Sequence, residues 1–330
     1  MGKKIKIGVL GLASIARRST IPSLRELSDI FELKGIARRS KTPPDLPHDL
    51  GNISFFESYD ELISTAGLDA VYIPLPNTMH FVWAKKALLR GLHVLVEKPL
   101  AVSFEQVNEL TKIANENNLA LMETFQFRFH PQFKKINTLL SQNRLGEIRS
   151  LTAYFCFPPF PDGDNIRYQK KLGGGALLDA GGYTIKISQL LVNKPLNVCS
   201  ATLHYDKCRD VDIWGSAHLT DEEKKVSCHL IFGFDHSYRC SVDITGSKGS
   251  LRSDRIFTCP PDMKPKIFRT LPDGSTQHYS ISHSNQFTLM LRYFYSVCFD
   301  NHLKKIEYQN NMSLAWTLDE VRNSANLNLT

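Results

Sequence analysis

Short apolar segments alternate with helix-like patterns in the N-terminal part of the chain. Five apolar segments bounded by polar or turn residues predict strands at residues 4–10, 31–37, 70–75, 93–97 and 120–124. Helical patterns lie between these strands, for example at residues 15–27 and at residues 78–90, where Gly91 follows as a stop signal. Repeated strand and helix units predict an α/β domain, a Rossmann-type parallel sheet with helices on both faces.

The pattern changes from about residue 148 onward. Longer segments in which polar and apolar residues alternate occur at residues 149–155, 197–205, 212–219, 225–232 and 238–245. This alternation predicts an open, mostly antiparallel sheet with one solvated face, and a helix over residues 176–191 would cover the other face. We therefore predict two domains, residues 1–124 and an α+β domain over residues 125–330, with a closing helix at about residues 313–325 that packs back on the first domain.

Composition narrows the class of protein. The 330 residues, of which 42% are hydrophobic and 22% charged, suffice for two packed cores. No segment approaches the roughly 20 apolar residues that span a bilayer, and Lys3 and Lys4 lead directly into a strand without a cleavage region, so we expect a cytoplasmic protein that binds no membrane. The seven cysteines are scattered without a C-x-x-C pair, which predicts neither disulfides nor a metal site.

A net charge of +7 raises the question of nucleic acid binding. The lysines and arginines are spread along the chain and form no basic run interleaved with aromatic residues, so the sequence argues against a nucleic acid partner. A small ligand rich in phosphate explains part of the excess positive charge equally well.

The segment from Gly11 to Ala16 follows the first strand, where a dinucleotide fold carries G-x-G-x-x-G. Gly11 allows the tight turn, and the small Ala16 allows the helix to pack on the strand. Ala13 departs from the pattern, because its methyl group lies where backbone should approach a pyrophosphate. An ordinary strand-to-helix turn is the alternative, but the position predicts a cofactor contact at Gly11, Ala13, Ser14 and Ile15, with the pyrophosphate on the helix N-terminus.

The end of the second strand bears on the choice between the two nicotinamide dinucleotides. An acidic residue there accepts a hydrogen bond from the ribose of NAD, whereas arginine receives the 2′-phosphate of NADP. This chain has Arg38, Arg39 and Ser40 at that point. Two solvated surface arginines are the alternative, but paired guanidinium groups suit a phosphate dianion, so NADP(H) is the predicted cofactor.

Two short motifs occupy the ends of later strands, where open α/β sheets bind their ligands. The first comprises Leu75, Pro76 and Asn77 followed by His80, and the second is Glu97-Lys98-Pro99. All of these residues except Pro99 are predicted to contact the cofactor. A lysine that precedes proline has a restricted, extended backbone, so the ammonium of Lys98 would be directed into the ligand crevice. There it would stabilise negative charge on a substrate oxygen, although a solvated surface lysine is the alternative.

These motifs carry a family resemblance. Glu97-Lys98-Pro99, Pro76-Asn77 with His80, the segment from Phe127 to Pro131, and Gly173-Gly174-Gly175 followed by Asp179 and Tyr183 together resemble the glucose–fructose oxidoreductase/inositol dehydrogenase family over nearly the whole chain. The resemblance implies an N-terminal NADP-binding Rossmann domain and a C-terminal domain that binds substrate. It also implies a homodimer or homotetramer formed through the large open sheet of the C-terminal domain.

The resemblance implies catalytic roles as well. Lys98 would contact the reacting oxygen, and Tyr183 would act as acid or base where inositol dehydrogenases have histidine. A phenol does this near neutral pH only if a nearby ammonium such as that of Lys98 favours its ionised form. Asp179 lies one helical turn before Tyr183 and would orient substrate hydroxyls or the lysine. Arg167 stands near the place of a Trp-Arg pair of the glucose–fructose branch and is predicted to approach the cofactor or a substrate phosphate.

Residues 11–18 also resemble the start of nucleotide-sugar 3-ketoreductases, which act on dTDP-linked 3,4-diketo-2,6-dideoxyhexoses. This favours an NADPH-dependent reductase of a dTDP-linked 3-keto sugar, with the proton supplied by Tyr183. An NADP-dependent dehydrogenase of free sugars or trans-dihydrodiols, like D-xylose or dihydrodiol dehydrogenase, is the first alternative. A non-catalytic NADP-binding regulator is the second, and the presence of Lys98 and Tyr183 argues against it. Substrate identity and the direction of the reaction are left open by the sequence.

Overall fold

The computed structural model describes residues 3–38, 53–65 and 67–329. The chain forms two compact units. Residues 1–124 and 287–313 make up the first unit, and residues 125–286 and 314–330 make up the second.

The first unit contains a sheet of six parallel strands. They are β1 (Ile5–Leu10), β2 (Phe31–Ala37), β3 (Ser54–Phe56), β4 (Ala70–Ile73), β5 (His93–Val96) and β6 (Leu121–Glu123), in the order β3-β2-β1-β4-β5-β6. Every residue of β4 is buried, as expected for a strand covered on both faces. The strand order reverses between β1 and β4, and such a switch point is where α/β sheets bind ligands. The predicted Rossmann sheet is confirmed.

Eight α-helices lie in the described part of the chain. They are α1 (Ile21–Glu26), α2 (Tyr59–Ile63), α3 (Asn77–Leu89), α4 (Phe104–Glu116), α5 (Pro131–Ser141), α6 (Gly182–Val192), α7 (Gln286–Phe299) and α8 (Asn301–Asn323). Wider π-helical turns precede α1 at Ala16–Thr20 and α6 at Leu177–Gly181. Pro22 has no N–H to donate to the carbonyl of Arg18, which removes one ordinary helical hydrogen bond beside the first of these turns.

The tail helix is longer than the sequence pattern indicated. It begins at Asn301 rather than near residue 313, because the Asp300 carboxylate accepts hydrogen bonds from the backbone N–H groups of His302 and Leu303 and so caps the helix. Within the first unit, α8 lies on the edge of the sheet, where the side-chain amide of Asn311 donates to the carbonyl of Leu121 at 3.0 Å.

The second unit contains a nine-stranded sheet in the order β14-β13-β12-β11-β7-β10-β9-β8-β15. Its strands are β7 (Ile148–Cys156), β8 (Leu196–Asp206), β9 (Val211–Asp221), β10 (Ser227–Gly233), β11 (Arg239–Gly246), β12 (Gly249–Asp254), β13 (Lys266–Thr270), β14 (Thr276–Ser280) and β15 (Ala325–Leu329). Only the β7–β10 and β8–β15 pairings are parallel. The predicted open, mostly antiparallel sheet is confirmed.

Helix α6 is the buried helix of the second unit, and it packs against β7 and β10. Gly181, at the junction of the π turn and α6, permits this packing. A Cβ at that position would lie 3.1 Å from the Leu177 side chain and 3.4 Å from the Phe232 ring. The small residue therefore lets the helix that carries Tyr183 lie directly on the sheet.

Candidate active site

The turn after β1 leads into a helix through a glycine and two exposed residues. Gly11 has φ +106°, a backbone conformation that strains any residue other than glycine, and a Cβ there would lie 2.8 Å from the Leu75 side chain. Ala13 and Ser14 are exposed, and the carbonyl of Ala13 accepts the first helical hydrogen bond, from the N–H of Arg17 at 3.1 Å. The helix therefore begins at an exposed turn, which suits a pyrophosphate at its N-terminus. Ile15 lies in its first turn, half-buried.

Arg38 lies at the end of β2. Its N–H donates to the carbonyl of Phe56 at 2.9 Å, and its guanidinium lies 4.9 Å from the centre of the Phe55 ring. Stacking on the ring restricts the guanidinium while leaving its N–H groups available to a phosphate. The other two residues predicted for this contact, Arg39 and Ser40, lie outside the described residues.

His80 is fully buried in the first turn of α3. Its Nδ1 lies 2.7 Å from the carbonyl oxygen of Pro99, and its Nε2 lies 2.7 Å from that of Leu75. Burial, together with the charge of Lys98, lowers the pKa of His80 to about 4. The His80 ring therefore connects the segment after β4 with the segment after β5. Its contacts are with the backbone of these segments, which include residues that were predicted to bind the cofactor. Among these, Leu75 and the adjoining Pro76 and Asn77 are half-buried.

Glu97 is held by two hydroxyl groups. Tyr72 donates to Oε1 and Thr124 donates to Oε2, each at 2.6 Å, and Thr20 in turn donates to the Tyr72 hydroxyl at 3.1 Å. Desolvation raises the pKa of Glu97 in spite of these hydrogen bonds. The network joins the ends of three strands to the helix after β1, and it fixes the backbone from which the partly buried Lys98 extends. Tyr72, a polar group inside the apolar strand β4, was the available sequence signal for it.

In the second unit Asp179 forms an ion pair with Arg167. The Arg167 Nε donates to Asp179 Oδ2 at 2.6 Å, and the arginine head also lies 4.7 Å from the centre of the Phe160 ring. The carboxylate raises the pKa of Arg167, chiefly through its charge. Asp179 was predicted to orient the substrate, and Arg167 was predicted to approach the cofactor or a substrate phosphate. The structure brings these two side chains together through a hydrogen bond.

Tyr183 lies in a cage of phenylalanine rings. It is 6% exposed, and its ring centre lies 4.8–6.0 Å from those of four residues, Phe125, Phe127, Phe155 and Phe257. These rings come from distant parts of the sequence, which is why sequence patterns did not reveal the cage. A fixed phenol in such apolar surroundings responds strongly to nearby charges.

Asp212 and the Gly-rich motif at residues 173–175 set the start of the helical segment that carries Asp179 and Tyr183. Asp212 accepts a hydrogen bond from the N–H of Leu177 at 2.5 Å. Burial raises the pKa of Asp212 to about 6, although hydrogen bonds from the backbone oppose the shift. Gly175 has φ +116°, and a Cβ there would lie 2.2 Å from Asp212 Oδ1. The glycine is therefore needed for the carboxylate to reach the helix end.

Two further findings concern ligands and membranes. Across the described ranges, no group of three or more histidine, cysteine, aspartate and glutamate side chains is arranged to hold a metal ion. No helix in the part of the chain that the structure describes is long and apolar enough to cross a membrane.

Comparison with known proteins identifies the family. A model of the oxidoreductase family with an NAD-binding Rossmann fold matches residues 5–125, and the GFO/IDH/MocA C-terminal domain matches residues 133–252. The dTDP-3,4-didehydro-2,6-dideoxy-α-D-glucose 3-reductase of Actinomadura kijaniata is 36% identical over 97% of this chain and 96% of its own. D-xylose 1-dehydrogenase (NADP⁺) 2 of Haloferax volcanii is 29% identical over 96% of each chain.

Comparison with solved structures supports the same family. The crystal structure of a 3-ketoreductase from A. kijaniata in complex with NADP and TDP-benzene has a TM-score of 0.93 and 34% identity, and the match covers 99% of this chain and 100% of that one. The predicted resemblance is therefore confirmed, as is the enzyme class. The chain belongs to the glucose–fructose oxidoreductase/inositol dehydrogenase (GFO/IDH/MocA) family of oxidoreductases.

Proposed function

We propose that this enzyme uses NADPH to reduce the 3-keto group of a dTDP-linked 3,4-diketo-2,6-dideoxyhexose. The observation that carries the proposal is the match to a dTDP-sugar 3-reductase over almost the full length of the chain. The first unit has Lys98 after β5, and the second has Tyr183 on α6 and the Asp179–Arg167 pair beside it. A lysine and a caged phenol are the groups that reduction of a ketone requires, one to polarise the oxygen and one to protonate it.

The cofactor would be held by the first unit. The turn from Gly11 to Ile15 would take the pyrophosphate, and Arg38, with Arg39 and Ser40, would take the 2′-phosphate. Leu75, Pro76 and Asn77 would line the same crevice at the strand ends, with His80 and Glu97 supporting it. When bound, the cofactor supplies the hydride that is added to the ketone carbon.

The residues of the chain would manage the charge on the ketone oxygen. The Lys98 ammonium donates a hydrogen bond to that oxygen and stabilises the negative charge that develops on it. The O–H bond of Tyr183 breaks and the proton goes to the same oxygen, which leaves an alcohol on the substrate and a phenolate on the enzyme. The Asp179–Arg167 pair orients the neighbouring sugar oxygens, and the phenolate then recovers a proton from water.

A dehydrogenase of free sugars is the second candidate, and the match to D-xylose 1-dehydrogenase over 96% of the chain favours it. The same groups would serve oxidation, with Tyr183 as base. The cytoplasmic location, the assembly into a homodimer or homotetramer and the division of roles between the two units stay predictions.

The test is to follow reduced nicotinamide absorbance with two sets of substrates. NADPH is supplied with an enzymatically prepared dTDP-linked 3,4-diketo-2,6-dideoxyhexose, and NADP⁺ is supplied with D-xylose or a trans-dihydrodiol. Turnover of the nucleotide sugar that Tyr183→Phe abolishes supports the reductase. Turnover confined to the free sugar or the dihydrodiol supports the dehydrogenase, whereas cofactor binding without turnover of any substrate contradicts both and favours a non-catalytic regulator.

A further inference from the structure

The residue after β12 is an arginine that the proposed mechanism does not use. Arg255 has φ +56°, a left-handed backbone conformation that a residue with a bulky side chain adopts only at a cost in free energy. Its guanidinium lies 4.5 Å from the centre of the Tyr238 ring, and its Nη1 donates to the Tyr238 hydroxyl at 2.7 Å. The arginine head is therefore held by a ring and a hydroxyl group rather than by a carboxylate.

Arg255 borders a cavity of about 490 Å³ that lies wholly in the second unit. The six residues that line the cavity include three arginines and a single acid, and they are Tyr238, Arg239, Cys240, Arg252, Asp254 and Arg255. Desolvation by burial raises the pKa of the Cys240 thiol and that of the Tyr238 phenol, so neither group adds a negative charge near neutral pH. Arginine therefore dominates the charge of the cavity wall.

The carboxylates around this cavity are paired with the other two arginines. Asp254 Oδ1 lies 3.2 Å from Arg252 Nη2. Asp243 lies 3.5 Å from Arg239 Nη2 and 4.0 Å from Arg252 Nε. Among the residues that the structure describes, Arg255 takes part in no ion pair. Three guanidinium groups thus share two carboxylates, and the positive charge that is left over is that of Arg255.

The Arg255 head also keeps hydrogen-bond donors for a ligand. Its Nε and Nη2 donate to no group within the described ranges, and the side chain is half-buried, so solvent and ligands can reach it. A guanidinium presents its N–H groups as a planar fork that matches paired phosphate oxygens. The contacts with Tyr238 fix the fork in advance, which lowers the cost of ordering it when an anion binds. These features point to a phosphate-bearing ligand.

A row of aromatic rings joins the cavity to Tyr183. The centre of the Tyr238 ring lies 5.7 Å from that of Phe157. The Phe157 centre lies 4.7 Å from that of Phe155, which in turn lies 4.8 Å from that of Tyr183. The two tyrosine rings are therefore at most about 15 Å apart within one unit. A nucleotide-linked hexose with its ketone at Tyr183 has its diphosphate beyond the sugar ring, within reach of the cavity wall.

We propose that the cavity beside Arg255 is the subsite for the diphosphate of a nucleotide-linked sugar, with the Arg255 guanidinium as the group that binds it. The inference rests on the proposed function for the sugar that the diphosphate carries, but binding of a nucleoside diphosphate can be measured without turnover. The subsite would also favour a nucleotide sugar over a free sugar, since a free sugar has no phosphate for Arg255.

The experiment measures dTDP binding by isothermal titration calorimetry, with the enzyme saturated by NADPH so that the cofactor site is filled. Arg255→Met keeps the length of the side chain and removes its charge, so the dTDP dissociation constant should rise by about tenfold or more. Arg255→Gln serves as a second neutral variant if the methionine protein does not fold. Inorganic diphosphate is titrated in parallel. If its binding depends on Arg255 and that of dTDP does not, the cavity holds a free anion and the proposal is overturned.

A matched control is Arg149→Met, which removes an exposed arginine of the same sheet that pairs with Glu147 at 2.6 Å. It should leave dTDP affinity unchanged. Equal dTDP affinities for the wild type and the neutral Arg255 variants would contradict the proposal. If dTDP affinity falls as expected while no ketosugar is reduced, the proposed function fails and the subsite stands. With an active enzyme, Arg255→Met should raise KM for the nucleotide sugar by about tenfold and change kcat little, because Arg255 acts on the diphosphate rather than on the ketone.

Discussion

At the scale of single residues, sequence reasoning found side chains that follow strands and missed those that act through tertiary contacts. Lys98 and Glu97 could be selected because they end a strand in a short motif. The hydroxyl groups of Tyr72 and Thr124 that hold Glu97, and the phenylalanine cage of Tyr183, join positions far apart in the chain. No local pattern records such pairings, so they became visible only in the folded protein.

The first residue-scale prediction concerns Lys98. Lys98→Met should lower kcat for ketone reduction by about 10²- to 10³-fold, the loss expected when one donor to a developing oxyanion is removed. The NADPH dissociation constant, measured by fluorescence, should change less than about threefold, since the lysine acts on the substrate oxygen. A parallel loss of NADPH affinity would show that the lysine supports the cofactor site instead.

The second residue-scale prediction concerns His80, whose ring nitrogens contact the carbonyl oxygens of Leu75 and Pro99 rather than solvent. We expect His80→Asn to lower kcat by about tenfold by releasing the backbone next to Lys98. Because the effect passes through Lys98, the same substitution should change kcat little in a Lys98→Met background. Additive losses in the double variant would mean that His80 acts on another part of the site.

At the scale of elements, the alternation of polar and apolar residues was sufficient for most of the sheet strands. It missed β3, β12, β13, β14 and β15. Of these, β3 has only three residues, and the residues of β14 are nearly all exposed. Strands that are short or that have no buried face give no periodic signal. The start of α8 was missed for a related reason, since its first turns are rich in polar residues and only the Asp300 cap marks the beginning.

The end of β2 allows a test of cofactor preference. Arg38→Ala should weaken NADPH binding by about tenfold or more and NADH binding by less than about twofold, because only NADPH carries a 2′-phosphate for the guanidinium. Fluorescence titration with both dinucleotides measures this. Equal weakening of the two would contradict the assignment of Arg38 to the phosphate.

The start of the Tyr183 helix allows a test of stability. Gly175→Ala should lower the free energy of unfolding by about 2 kcal/mol or more, because the added Cβ meets Asp212 and the φ of +116° is strained for alanine. Gly163→Ala is the control, since nothing lies within 4 Å of a Cβ there. Urea denaturation of both variants gives the comparison, and equal stability would show that the Gly175 turn is not under steric constraint.

At the scale of the whole molecule, both sheet architectures could be predicted from the hydrophobic pattern and the family from the order and spacing of short motifs, whereas assembly is implied by the family resemblance alone. An interface depends on the shape of an entire surface, and a single chain gives no pattern for it. Light scattering in solution is the direct measurement of the predicted dimer or tetramer.

Global stability should depend on pH through His93. Its Nδ1 accepts a hydrogen bond from the N–H of Ala120 at 2.9 Å, and burial lowers its pKa from 6.5 to about 4. Between these two pKa values the unfolded chain binds a proton at His93 and the folded chain does not. The free energy of unfolding should therefore fall as the pH drops below about 6.5 and level off near pH 4. The expected slope from this group is about 1 kcal/mol per pH unit.

Urea denaturation between neutral and mildly acidic pH measures this slope. His93→Asn keeps an acceptor for the Ala120 N–H but does not titrate, so its stability should vary less over the same range. A slope that is the same in both proteins would assign the pH dependence to other groups, such as His80.

The two π-helical turns, at Ala16–Thr20 and Leu177–Gly181, have a consequence for how this enzyme can diverge. Each holds one more residue than an α-helical turn. The first follows the turn proposed to take the pyrophosphate, and the second stands just before α6, the helix that carries Tyr183. Losing or gaining one residue there would rotate everything downstream by about 100°. Substitutions can therefore change the chemistry at these helices without changing the helical register, whereas insertions or deletions there cannot. The exchange of histidine for tyrosine within the family is one such substitution. New substrate preferences in this lineage are expected to arise by substitution around a fixed residue count, and insertions are expected to accumulate in loops elsewhere.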